Sequence, residues 1–67
     1  MIDEIAKAAM HMPGDGPEHV AAVALCEMRG LQPYVQASVS SPSGMMFSME
    51  QWRVMVVEAR LFALAGA

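Results

Sequence analysis

The stretch SMEQWRVMVVEARLFAL, Ser48 through Leu64, decides the fold. It contains no Gly or Pro, and its apolar residues recur at helical spacing, so it predicts a helix over 49–64. Ser48 suits the N-cap, where its hydroxyl can accept from an orphan backbone N–H. Gln51, three residues on, completes a capping box, and Phe47 and Trp52 are spaced for a hydrophobic staple. At about 100° per residue, Trp52, Met55, Val56, Ala59, Phe62 and Ala63 gather on one broad face. Val54, Val57, Leu61 and Leu64 form a second stripe, set apart by Glu58 on one side and by Arg53 and Arg60 on the other. A surface helix of a small domain needs one apolar stripe. The second is either covered by the N-terminal helices or presented to a partner. Presentation is expected, because contiguous exposed apolar surface marks interaction sites.

Immediately before this helix, residues 34–47 predict a hairpin. Val35, Ala37 and Val39 alternate with Tyr34, Gln36, Ser38 and Ser40, as in a half-buried strand. Ser41-Pro42-Ser43-Gly44 is turn chemistry, and Met45 to Phe47 make a short return strand ending at the Ser48 cap. Further back, a helix is predicted over 17–29, with Pro17 at its first position and Gly30 as its left-handed stop. Another is predicted over 2–12, where Ile2, Ile5, Ala6, Ala9 and Met12 share a face and Pro13-Gly14 ends it. The expected fold class is α+β, a single small domain over 1–67 in the order α-α-β-β-α. The hairpin and the two N-terminal helices pack on the long C-terminal helix.

Composition narrows the function classes. Apolar residues make up 55% of the chain, which excludes disorder by composition. A net charge of −3, with Lys7, Arg29, Arg53 and Arg60 scattered, offers no basic cluster for nucleic acid. The longest apolar run is six residues, Val20 to Leu25, far short of the roughly 18 that a membrane span needs. The start Met-Ile-Asp-Glu lacks the basic opening of a signal peptide, and a lone Cys26 excludes an intrachain disulfide. Cytoplasmic localisation, with no membrane association, is expected. A chain of 67 residues buries only about 60% of its unfolded surface, so a partner subunit or target protein is expected as an added stabiliser.

No residue pattern carries catalytic or metal chemistry. His11, Asp15, His19 and Cys26 have no recognised ligand spacing, whereas zinc needs three or four convergent donors. Cys26 and His19 lie two helical turns apart, about 10 Å, beyond hydrogen-bond reach for a nucleophile and its base. Glu50 with Glu58, or Glu18 with Glu27, would need a shaped pocket to act as acid and base. Gly14-Asp15-Gly16-Pro17 lacks the preceding strand and the lysine of a phosphate loop. No cofactor, metal or enzymatic activity is expected.

Eight methionines are unusual in so short a chain, and Met45, Met46, Met49 and Met55 cluster around the hairpin and last helix. Methionine adapts to irregular apolar partners. Neighbouring strand residues face opposite ways, so Met45 and Met46 cannot both enter one core. The expected function is therefore non-catalytic protein–protein interaction through Val54, Val57, Leu61, Leu64, Met45 and Met46. The partner is a second copy of the chain, a larger host protein, or both. Such a chain is compatible with a phage or mobile-element accessory protein that inhibits a host factor. The alternative is a small structural subunit or assembly chaperone, stable as a homo-oligomer. A metal-binding module or minimal enzyme ranks third.

Overall fold

Every other element packs on one 15-residue helix, α3 (Gln51–Ala65). The computed structural model describes residues 2–66. Residues 1 and 67 of the expected 1–67 span lie outside them. Before α3 come α1 (Ile2–Met10), α2 (Pro17–Met28), β1 (Gln36–Ser40) and β2 (Met46–Glu50). The α+β order α-α-β-β-α is as expected.

In α1, Ala6 and Ala9 are fully buried, and side chains this small bring its backbone close to the core. The helix stops at Met10 rather than at the expected residue 12. Pro13 disfavours helical backbone at the residue before it, and the chain tightens so that the Met12 N–H donates to the Ala9 carbonyl at 3.3 Å. In α2, Ala22 and Cys26 face the core. Its end is closed by two bonds: the Gly30 N–H donates to Glu27 O at 3.1 Å and the Leu31 N–H to Cys26 O at 2.8 Å. This closure needs left-handed backbone, and Gly30 supplies it at φ +73°.

The hairpin pairs Gln36 with Glu50, Ala37 with Met49, Ser38 with Ser48, Val39 with Phe47 and Ser40 with Met46. Its turn is a three-residue loop. Gly44 N–H donates to Ser41 O at 3.0 Å, Ser41 N–H to Met45 O at 2.9 Å, and Gly44 sits at φ +90°. Ala37, Val39, Phe47 and Met49 turn inward, so the sheet's inner face lies on α3.

The start of α3 corrects the expected cap. Ser48 is not an N-cap; it lies in β2, which runs three residues past the expected hairpin end at 47. The alternation through Phe47 and Met49 continues the strand, and pairing with β1 satisfies backbone that a cap would leave unpaired. Glu50 is the cap residue, extended at φ −63° and ψ 149°, and its side chain makes no cap bond. The first helical N–H groups find carbonyls elsewhere: Gln51 donates to Val35 O and Trp52 to Pro33 O, both at 2.9 Å. The capping box and the staple therefore do not form, and Phe47 enters the core from β2 instead.

Burial in α3 divides along its length rather than around it. Trp52, Val54, Met55, Val56 and Val57 are all buried, because α1, α2 and the hairpin surround the first two turns. From Glu58 onward only Arg60 and Leu61 are half-buried, and the other described residues are exposed. Trp52, 1% exposed, sits at the junction. The His19 ring meets its indole edge-on at 4.6 Å, and the Arg53 guanidinium lies 4.3 Å from its centroid. Arg53 Nη1 also donates to Ala9 O at 2.7 Å and Met12 O at 2.6 Å, tying α3 to the end of α1 and the residues just after it.

Two substitutions test this junction by urea denaturation. Trp52→Ala should cost about 3–5 kcal/mol, as removal of a core aromatic does. Arg53→Met keeps the apolar stem but loses the charge-assisted bonds to α1, and should cost about 1.5–3 kcal/mol.

Candidate functional site: the projecting end of the last helix

The described half of α3 beyond Val57 is apolar on both flanks. Phe62 is 82% exposed and Leu64 51%, with Ala59 and Ala63 also open to solvent. The third turn is thus half-covered, through Arg60 and Leu61, and every described side chain from Phe62 onward lies in solvent.

The structure redistributes the six residues expected to bind a partner. Val54 and Val57 lie in the core, and Val57 is only 1% exposed. As surface residues they are corrected: α1 and the hairpin cover that side of α3. Leu61 is half-buried and lines an open hollow of about 400 Å³ with Ile2, Asp3, Pro42 and Ser43. Leu64 is exposed. Met46 points off the outer face of the hairpin, opposite Phe47 and Met49, and Met45 is exposed beside the turn. The expected stripe is therefore not one continuous surface.

The residue missed by helical periodicity is Phe62, which the wheel groups with Trp52 and Met55. A wheel records angle and ignores distance along the axis, so it cannot see where the covering elements stop. Phe62 stands at one lip of an apolar corner between α2 and α3. One part, about 360 Å³, is lined by Leu25, Arg29, Met55, Glu58, Ala59 and Phe62. It continues through Leu25, Met55 and Ala59 into a smaller part, about 100 Å³, reaching Ala21 and Glu18. Met28, one turn beyond Leu25, is 81% exposed. Ion pairs bracket the corner: Arg29 to Glu58 at 3.2 Å and Arg60 to Glu18 at 3.0 Å, the latter with both carboxylate oxygens engaged. Their exposure limits each to about 0–1 kcal/mol, so they shape the rim more than they hold the fold.

The groups weighed for chemistry take structural places. His19 Nε2 lies 3.0 Å from the Tyr34 hydroxyl, beside Trp52. Cys26 is fully buried, and burial pushes its thiol pKa up. Glu50 accepts from Trp52 Nε1 at 3.1 Å and Arg53 Nε at 3.3 Å, while Glu58 and Glu18 pair with arginines. Among the described residues no three His, Cys, Asp or Glu side chains converge to hold a metal ion. No described helix is long and apolar enough to cross a membrane.

Asp3 ties α1 to the hairpin turn. Ser43 Oγ donates to its Oδ2 at 3.0 Å and lies 2.7 Å from Ser41 Oγ. The Ser41 hydroxyl, helped by Ser43 and Lys7 and opposed by partial desolvation, holds the Asp3 carboxyl below its usual value. A depressed carboxylate contributes stability above its unfolded pKa of about 3.9 and loses it as pH falls through the lower folded value. In urea midpoints taken from about pH 5 to pH 2, Asp3→Asn should therefore flatten the acid limb; an unchanged limb would refute this role.

The two leucines of α3 should now behave differently. Leu64→Asp should leave stability within about 0.5 kcal/mol of wild type. Leu61→Asp should lower it by about 1–3 kcal/mol, because the new carboxylate loses packing and is partly desolvated. Thermal melts of the two variants check the contrast. Comparison of the chain with protein-family models, with curated proteins and with solved structures finds no match.

Proposed function

We propose that this chain is a non-catalytic protein-interaction module that docks on another protein through the projecting end of α3 and the corner beside it. The single observation carrying the reading is Phe62, a large aromatic 82% exposed at the lip of an apolar corner formed by its own chain. Phenylalanine is enriched at protein interfaces, where a few well-buried anchors carry most of the binding energy. Leaving one in water gains nothing for the folded monomer. The surrounding chemistry supports the same reading: small or aliphatic walls at Ala21, Leu25 and Ala59, an adaptable methionine at Met55, a charged rim, and the exposed Met28 one turn beyond Leu25. Seated in a partner, Phe62 alone would remove on the order of 150 Å² from water.

This places the binding residues at Phe62, Leu25 and Met28 rather than at Val54 and Val57, with Leu64 on the opposite flank of the same projecting end. Blocking a larger protein's surface and serving as a subunit of an assembly are both docking roles of this kind.

Phe62→Asp tests it. The substituted chain should melt as wild type does, since the ring touches little of its own core. In affinity capture from extracts of the encoding cell, a protein retained by the wild type should be lost from the variant. A capture profile unchanged by Phe62→Asp would reject the α3 end as the docking surface.

A further inference from the structure

We infer that the occupant of the α2–α3 corner is a second copy of this chain, paired about a two-fold axis so that each Phe62 enters the other's corner. The inference rests on the proposed docking role of that surface and names its partner.

An isologous interface uses one patch on both subunits, so the patch must be complementary to itself. The corner meets that condition. Its hollow, about 360 Å³, and its protruding Phe62 lie on the same face. Two copies turned face to face therefore each offer a projection where the other offers a recess. Because Phe62 also lines its own recess, the two rings meet near the axis, in reach of the offset stacking that aromatic pairs favour.

Charge points the same way. The chain carries −3 overall, which opposes association of identical copies. The corner is bracketed by Glu18 with Arg60 and by Arg29 with Glu58, two acids balanced by two bases. The whole excess comes from residues elsewhere: Asp3, Glu4, Asp15, Glu27 and Glu50 against Lys7 and Arg53. On α2, Glu27 lies on the flank opposite Leu25 and Ala21. Two chains meeting corner to corner thus do so at an electrically neutral face, and each Arg29 and Glu58 rim can pair equally with its counterpart. A larger partner of strong single-sign charge gains no such match here.

Sedimentation velocity of the full chain tests the inference. The wild type should show a mass rising with concentration towards twice the 7.2 kDa of one chain. Phe62→Asp should raise the dissociation constant at least about 30-fold, the loss expected of a central anchor. Val20→Asp, on the exposed α2 flank that carries Glu27, should leave it unchanged, which separates the corner from general loss of greasy surface. Circular dichroism melts of both variants at low concentration should match the wild-type monomer. Phe62→Ala provides a second variant without an added charge and should weaken the dimer in the same direction.

A wild type that stays monomeric to about 1 mM overturns self-pairing. So does a dimer indifferent to Phe62→Asp. If the wild type is monomeric but a captured protein is lost on Phe62→Asp, the partner is foreign and the docking role survives without self-pairing. If neither dimer nor Phe62-dependent capture is found, both fall together.

Discussion

The junction at Glu50, Gln51, Trp52 and Arg53 is where the molecule is tied together. Four parts of the chain meet there. The carbonyls of Pro33 and Val35 accept the first N–H groups of α3, β2 runs into it without a loop, the Ala9 and Met12 carbonyls at and just past the end of α1 accept from Arg53, and His19 of α2 meets the Trp52 indole. The bonds from Gln51 and Trp52 satisfy N–H groups at the helix start that have no intrahelical partner. A side-chain cap at Ser48 would have served one N–H. The tertiary arrangement serves the same helix start with backbone carbonyls and frees Ser48, whose hydroxyl accepts from Gln36 Nε2 across the strands at 3.3 Å.

Anchoring α3 at its start has a direct consequence for its end. The covering elements converge on the first two turns; α1 still reaches Leu61, and the described side chains beyond it are exposed. Val54, Val56 and Val57 are enclosed on opposite sides of the helix, while Phe62 and Leu64 on opposite flanks are both left open. The surplus of apolar surface expected from two stripes is real, but it lies at one end of the helix and not down one side. That end, with the adjoining flank of α2, forms the corner on which the proposed function rests.

Much of the architecture was legible because its signals are local. Pro17 and Gly30 bound α2, Pro42 and Gly44 form the hairpin turn, and the alternation of Ala37 and Val39 marks β1. Each of these depends on backbone conformations that few residues adopt. The errors came where a local signal competed with a non-local one. Ser48 fits a cap as well as it fits a strand, and only pairing with Ser38 decides between them. Phe62 fits the Trp52 stripe by angle, and only the reach of α2 and α1 decides that it is uncovered.

By itself the sequence determined the five elements, their order and the turn and stop residues between them, because periodicity and special backbone conformations act within a few residues. It also determined that α3 carries more apolar surface than one face requires. Only the tertiary structure decided which part of that surface stays in water. Burial depends on where the other elements end in space, and that is set by bonds such as Arg53 to Ala9 and Trp52 to Pro33, which join residues far apart in the chain.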